Sequence, residues 1–173
     1  MNCSVIASGV ASTLARIPEI NLHAPALLPA TYCEDVHERL MLYKRLANCN
    51  HGDDVSRLRE ELVDRFGKLP EPAMTLVEVH RLRLLAQSIG LAKVDATPEA
   101  ITLQFNAQPI TSPAVILKFA QSRRDTSFAG QDRLRIKVTT ADVAARSRLV
   151  REILTGLQPA AGQLSERLVT ERG

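Results

Sequence analysis

Cysteine and histidine side chains between residues 33 and 51 are the first candidates for chemistry in this sequence. Cys33, His37, Cys49 and His51 could in principle supply a Cys2His2 zinc site. Their spacing, C-x3-H followed by C-x-H, matches no standard zinc finger, because a one-residue gap rarely lets both side chains converge on a tetrahedral ion. We therefore expect no metal. Three cysteines without C-x-x-C spacing instead indicate reduced thiols in a cytoplasm.

Catalytic and phosphate-binding motifs are missing from the sequence. It contains no G-x-x-x-x-G-K-[ST], G-x-G-x-x-G, H-E-x-x-H or G-x-S-x-G, the patterns of common nucleotide, metal and nucleophile sites. The carboxylate pairs Glu34-Asp35 and Asp53-Asp54 fall at predicted helix starts, where the helix dipole favours negative charge. Glu60-Glu61 lies on a polar helix face, and His80 has no acid or nucleophile partner in the sequence. We therefore expect no cofactor, and a small enzyme remains an alternative that would need a pocket lined by perturbed acids or a His dyad.

Basic side chains in the C-terminal half could contact nucleic acid. They form two groups, Arg133, Arg135 and Lys137 on a predicted strand and Arg146, Arg148 and Arg151 on the helix after it. Such a cluster could bind phosphates electrostatically, and a nucleic-acid-binding accessory domain is the alternative to the function derived below. Charged residues also commonly protect an edge strand and keep one sheet face in water. With aromatic residues at 3% and no Trp, base-stacking surfaces of the single-strand readers would be scarce.

The apolar periodicity predicts helices first and a small, mainly antiparallel sheet later. The predicted elements are an extended arm at 19–23, helices at 34–47, 53–66 and 71–90, a hairpin of strands 93–95 and 101–105, a helix at 112–120, a strand at 133–138 and a helix from a Thr139-x-x-Asp142 cap to about 157. Helices segregated from such a sheet indicate an α+β fold. We expect a flexible leader at 1–17, one domain at 18–157 and a tail at 158–173, with a helical turn at Leu164 and Leu168.

The helix predicted at 53–66 has one apolar and one charged side. Its apolar stripe consists of Val55, Leu58, Leu62 and Phe66, and its charged side of Arg57, Glu60, Glu61 and Asp64, with Arg65 at the edge. The stripe faces the core and the charged side faces water or a partner. The i,i+4 spacing predicts pairs of Glu61 with Arg57 and with Arg65. Gly67 and the following prolines end this helix and begin the next.

The two neighbouring helices are also predicted from their apolar residues. For the helix at 34–47 we expect an inward stripe of Val36, Leu40, Tyr43 and Ala47, with Leu46 beside it. The apolar residues of 71–90 cover more than half of its circumference, which is typical of a central helix packed on several sides. No apolar run reaches the roughly 18 to 20 residues of a membrane helix, so we expect no membrane partner.

Three segments of this sequence resemble a known family. I-N-L-H-A-P-A-L-L-P, E-R-L-M-L-Y-K-R-L-A and L-R-E-E-L-V-D-R-F-G-K-L-P-E-P-A are similar to the C-terminal domain of the bacterial transcription-repair coupling factors (Mfd). The L-x-x-E-L-x-D-R-F-G-x-L-P block is the most specific part, and L-L-A-Q-S-I-G-L follows in register. The resemblance extends, with lower specificity, from about residue 20 to residue 157.

The resemblance implies a regulatory role. The family's full-length proteins are ATP-dependent DNA translocases that remove stalled RNA polymerase and recruit the damage sensor UvrA, and their motor domains, which contact DNA, lie elsewhere. The C-terminal domain is non-catalytic and folds back on the N-terminal UvrB-like module, where it masks the UvrA-binding surface. The charged residues that make this contact in the family correspond to Glu61, Asp64 and Arg65. We expect these side chains to be exposed, so that replacing Glu61 and Asp64 by Arg leaves the fold intact.

Overall fold

Residues 17–159, which the computed structural model describes, form five helices and five strands. The helices are α1 (Val36–Ala47), α2 (Gly52–Phe66), α3 (Glu71–Ile89), α4 (Pro113–Gln121) and α5 (Val143–Gly156). The strands are β1 (Glu19–Asn21), β2 (Leu91–Ala96), β3 (Ala100–Phe105), β4 (Thr126–Phe128) and β5 (Arg133–Lys137). Apart from residues 17, 158 and 159, the predicted leader and tail, including the turn at Leu164 and Leu168, lie outside the described residues.

The strands form one mixed sheet with the order β1-β2-β3-β5-β4. β1 runs parallel to β2, and the other neighbours are antiparallel. The predicted α+β class is therefore confirmed. Ile101, Leu103 and Phe105 of β3 are buried as expected. β4 was not predicted, because three residues are too few to establish an alternating pattern.

Two hydrophobic clusters flank α3. One joins the sheet to α3 and α5, and the largest buried side chains of that cluster include Leu82, Ile89, Leu103, Ile136 and Leu154. The other joins α1, α2 and the first half of α3, with Leu42, Leu46, Leu58, Leu62 and Leu76 among its members. The prediction that α3 is a central helix packed on several sides is confirmed, although Met74 near its start is 45% exposed.

The predicted orientation of α1 is wrong. Val36 and Leu40 are 61% and 56% exposed, whereas Leu42 and Leu46 are almost completely buried. Tyr43 is half-buried and its hydroxyl oxygen accepts a hydrogen bond from the backbone N–H of Leu28 at 2.8 Å. Apolar residues occur on two sides of this helix, so either side could form a stripe. Packing against α2 and α3 selects the side that carries Leu42 and Leu46.

The orientation of α2 agrees with the prediction along most of its length. Val55, Leu58 and Leu62 are buried, but Phe66 is half-buried. The Phe66 ring packs against Tyr32, with 5.6 Å between ring centroids, and the Arg65 guanidinium lies 5.0 Å from its centroid. Gly67 follows with a φ of 86°, which favours glycine. The Tyr32 hydroxyl lies 2.9 Å from the carbonyl oxygens of Leu62 and Gly67 and fixes this helix end.

We expect Phe66→Ala to lower the free energy of unfolding by about 2 kcal/mol. The loss is smaller than the roughly 3 to 5 kcal/mol typical of a fully buried Phe, because part of the ring is already in water. Urea unfolding measures the change. Val63→Ala is the matched control, because Val63 lies on the same helix and is 39% exposed. It should change the free energy of unfolding by no more than about 0.5 kcal/mol. Equal effects of the two substitutions would contradict the orientation of α2.

We also expect Gly90→Ala to destabilise the domain more than Gly67→Ala. Both glycines have a φ near +90°, which disfavours alanine. A Cβ atom at Gly90 would lie 2.5 Å from the backbone N of Ile110 and 2.9 Å from Cα of Pro109, whereas one at Gly67 would meet nothing within 4 Å. The difference between their free energies of unfolding, measured by urea unfolding, therefore reports the backbone clash, and we expect it to exceed about 1 kcal/mol. Indistinguishable midpoints would refute the close approach of residues 109–110.

Candidate partner-binding surface

Four charged side chains join α1 to α2 at the protein surface. Arg45 donates from Nη1 and Nη2 to Oε1 and Oε2 of Glu61, at 2.7 and 2.6 Å. Arg65 Nη1 lies 3.4 Å from Glu61 Oε1, and Arg65 Nη2 pairs with Oε1 of Glu38. Two of these residues lie on α1 and two on α2, so the ion pairs connect the two helices. We call Glu38, Arg65, Glu61 and Arg45 the α1–α2 ion-pair chain.

The Arg45–Glu61 pair is the strongest interaction in the α1–α2 ion-pair chain. The hydrogen bond from Arg45 holds the pKa of Glu61 below its ordinary value, and the same bond raises the pKa of Arg45. All four side chains remain between 31% and 47% exposed. Exposed ion pairs contribute only about 0.2 to 1 kcal/mol each to folding. The α1–α2 ion-pair chain therefore contributes little to the stability of the domain, and its main effect is to orient the four side chains at the surface.

The predicted partner-binding residues lie together but differ in their surroundings. Glu61 was predicted to be exposed, but it is half-buried and paired with Arg45 of α1. The predicted i,i+4 pair with Arg57 is also absent, since Arg57 Nη1 instead lies 3.8 Å from Oδ1 of Asp54. The pair of Glu61 with Arg65 is confirmed. Asp64 is exposed and makes no ion pair within the described part of the chain.

The contribution of α1 to this surface was not predicted. The α2 pattern alone carries no signal for Arg45 or Glu38, because both contacts cross between helices. The wrongly oriented stripe of α1 also concealed that Leu40 and Met41 are 56% and 45% exposed. Met41 lies three residues after Glu38 and four before Arg45, so it shares their side of α1. We define the α1–α2 face as the ion-pair chain with Met41 and Asp64.

The two predicted groups of basic residues lie on opposite sides of the sheet. Arg133, Arg135 and Lys137 are exposed, and the alternating residues Leu134 and Ile136 are buried in the cluster that includes α5. The hypothesis that the basic residues of β5 and α5 form a single surface is therefore wrong. The alternation of a strand sends adjacent side chains to opposite faces, and α5 packs on the apolar face.

Two of the three arginines of α5 have structural contacts. Arg146 is 5% exposed and donates to the carbonyl oxygen of Leu22 and to Oγ1 of Thr140. Arg151 Nε donates to Oε1 of Glu78 on α3 at 2.9 Å. These bonds hold α5 against the N-terminal arm and α3. The guanidinium groups of Arg146 and Arg151 are thus hydrogen-bonded within the domain, apart from the exposed basic residues of β5.

The side chains considered for catalysis or metal binding are scattered. Among residues 17–159, no three His, Cys, Asp or Glu residues lie close enough together to hold a metal ion. Burial lowers the pKa of His80, whose Nε2 faces Arg83 Nη1 at 3.3 Å, so its neighbour is a cation and not an acid.

Within residues 17–159, no helix is both long and apolar enough to cross a bilayer.

A cavity of about 470 Å³ lies between α4 and the β4–β5 turn. Its walls include Phe105, Ile116, Leu117 and Phe128, and Asp132 and Arg133 also line it. None of the described residues that line it is a histidine or cysteine. Its lining is therefore mostly apolar, with one acidic and one basic side chain.

The comparisons with known proteins agree on one family. The model of the TRCF domain matches residues 22–116, more than half of the chain. The chain is 31% identical over 144 residues to the transcription-repair-coupling factor of Escherichia coli K12, covering 83% of this chain and 12% of that protein. It is also 35% identical over 103 residues to the protein of that name from Haemophilus influenzae, covering 60% of this chain and 9% of that protein. The chain thus spans about a tenth of the length of these relatives.

A solved structure shows the same fold. The crystal structure of a C-terminal domain of transcription-repair coupling factor superposes with a TM-score of 0.66 and 23% sequence identity, covering 82% of this chain and 93% of that one. Together with the family match over residues 22–116, this places the described fold within one domain family. The chain belongs to the TRCF domain family, the C-terminal domain of transcription-repair coupling factors.

Proposed function

We propose that this chain is the regulatory, non-catalytic domain of a transcription-coupled DNA repair translocase. It binds the N-terminal UvrB-like module of the same protein through the α1–α2 face and masks the surface to which UvrA binds. UvrA and RNA polymerase are then indirect partners, and DNA is contacted through the motor domains of the parent protein. The domain needs no cofactor for this role and acts in the cytoplasm.

The composition of the α1–α2 face is the observation that carries the proposal. Met41, which is 45% exposed, lies on the same side of α1 as Glu38 and Arg45, which belong to a surface chain of ion pairs. Protein interfaces commonly combine an apolar centre with a polar rim, and exposed apolar groups rimmed by polar ones mark interaction sites. The same face contains the three residues that correspond to the family's contact residues.

The three predicted contact residues then have different roles. Asp64 is exposed, and no described residue pairs with it, so it can accept charge-assisted hydrogen bonds from a basic side chain of the module. Glu61 and Arg65 are already held by α1 before the module binds. Charged groups at an interface rim give specificity and association rate more than affinity. Such an interface can open when polymerase engages the protein.

The β5 face supports a second candidate, a nucleic-acid-binding accessory domain. Arg135 and Lys137 are exposed and have no ion-pair partner among the described residues. If this face binds duplex DNA, affinity should fall steeply as salt rises, and Arg135→Gln with Lys137→Gln should weaken binding further. Fluorescence anisotropy with a labelled duplex at two salt concentrations measures both effects. No binding at low salt would remove this candidate.

The autoinhibitory interface predicts that Asp64→Arg weakens binding to the N-terminal module at least tenfold at low salt. The substitution removes an attraction and adds a repulsion, and like charges brought together across an interface cost several kcal/mol. Calorimetric titration of the 173-residue chain with the UvrB-like module of the same organism measures the affinity. Because Asp64 is exposed and without an ion pair in the described chain, its urea midpoint should match the wild type.

Glu99→Arg is the matched control for this titration. It makes the same change of charge at an exposed position of the β2–β3 turn, away from the α1–α2 face. Equal losses for both variants would reflect overall charge and reject the surface. If the wild-type chain does not bind even when joined to the module by a flexible linker, which raises the effective concentration, the autoinhibitory function itself is rejected.

A further inference from the structure

We infer that Arg45 competes with an arginine of the partner module for Glu61. Arg45 is then a specificity-determining residue: docking requires the carboxylate of Glu61 to exchange one guanidinium for another. This inference rests on the proposed function, since it describes how the α1–α2 face engages its partner. It assigns a role to a side chain of α1, outside the three residues that correspond to the family's contacts.

The hydrogen-bonding capacity of Glu61 is the first argument. A carboxylate offers about four lone-pair sites. Arg45 occupies both oxygens in a bidentate pair at 2.7 and 2.6 Å, and Arg65 approaches Oε1 at 3.4 Å. A second guanidinium cannot form a bidentate pair with Glu61 while Arg45 holds both oxygens. Strong engagement of Glu61 by a partner therefore requires Arg45 to leave.

The surroundings of the two arginines indicate which one leaves. The guanidinium of Arg65 also pairs with Glu38 and lies over the Phe66 ring, so three contacts hold it. The Arg45 side chain is 47% exposed, and among the described residues Glu61 is its one ion-pair partner. Displaced from Glu61, the Arg45 guanidinium can extend into water with little loss. Arg45 is thus the exchangeable member of the ion-pair chain.

The geometry also defines the chemistry of the competing group. A planar guanidinium matches both carboxylate oxygens at once, whereas an ammonium acts as a point charge. An arginine can therefore replace the bidentate contact of Arg45, and a lysine cannot. When the interface opens, Glu61 returns to Arg45 and neither charge is left unpaired. The exchange makes binding specific for arginine and keeps the interface weak enough to open.

The inference is tested by titrating the UvrB-like module with variants of the 173-residue chain. Removing the competitor in Arg45→Gln should tighten binding roughly two- to fivefold, the factor that corresponds to the usual worth of an exposed ion pair. Arg45→Lys, which keeps the charge but not the planar fork, should also tighten binding, but less. Glu61→Gln should weaken binding. In the Glu61→Gln background, Arg45→Gln should no longer tighten it, because the two residues act as a pair.

Arg57→Gln is the matched control, since it removes the same charge from a 78% exposed side chain that does not contact Glu61. Equal tightening by Arg57→Gln and Arg45→Gln would show a general charge effect and overturn the inference. Unchanged or weaker binding by Arg45→Gln, with a urea midpoint close to that of the wild type, would also overturn it. The proposed function would still stand if Asp64→Arg loses affinity in the same series. If the wild-type chain does not bind the module, tethered or untethered, both fall together.

Discussion

α3 contributes to both hydrophobic clusters, and the positions of the other elements depend on this double packing. Its first half buries Ala73, Leu76 and Val77 against α1 and α2, and its second half buries Leu82 and Ile89 against the sheet and α5. A helix that is apolar on most sides must be covered on most sides. The helices α1 and α2, with the ion pairs between them, are thereby held in a fixed position relative to the sheet.

The N-terminal arm adds a second set of connections between the two clusters. β1 extends the sheet beside β2, and the buried guanidinium of Arg146 binds the carbonyl oxygen of Leu22. The backbone N–H of Leu27 then donates to the carbonyl oxygen of Pro72, and that of Leu28 to Tyr43. The segment after β1 thus runs from the sheet across α3 to α1, and its polar backbone groups are satisfied by the elements that it covers.

The α1–α2 face combines exposed groups with an internal set of ion pairs. Glu61 and Arg65 are oriented before any partner binds, which lowers the entropy cost of association. The same pairing reduces the net gain from a new contact, since an existing bond must be exchanged for it. Asp64, which no described residue pairs, and Met41 are the parts of the face that break no existing ion pair on binding. This balance suits a regulatory contact that forms and opens repeatedly.

Features that depend on local pattern were predictable from the sequence. The stripe of Val55, Leu58 and Leu62, the end of α2 at Gly67 and the buried residues of β3 follow from periodicity and backbone preference. The resemblance of the D-R-F-G block to a known family identified the domain. The charged side of α2, with Asp64 exposed, was also predictable from the helical period.

Tertiary packing decided what depended on partners distant in the chain. The choice between two apolar sides of α1 required the position of α2 and α3. The pairing of Arg45 with Glu61 joins residues 16 positions apart, and the separation of Arg146 from Arg135 required α5 to pack on one side of the sheet. The parallel pairing of β1 with β2 closes a connection of about 70 residues. A local pattern specifies which side of an element is apolar, but the elements that cover that side are set by packing across the whole domain.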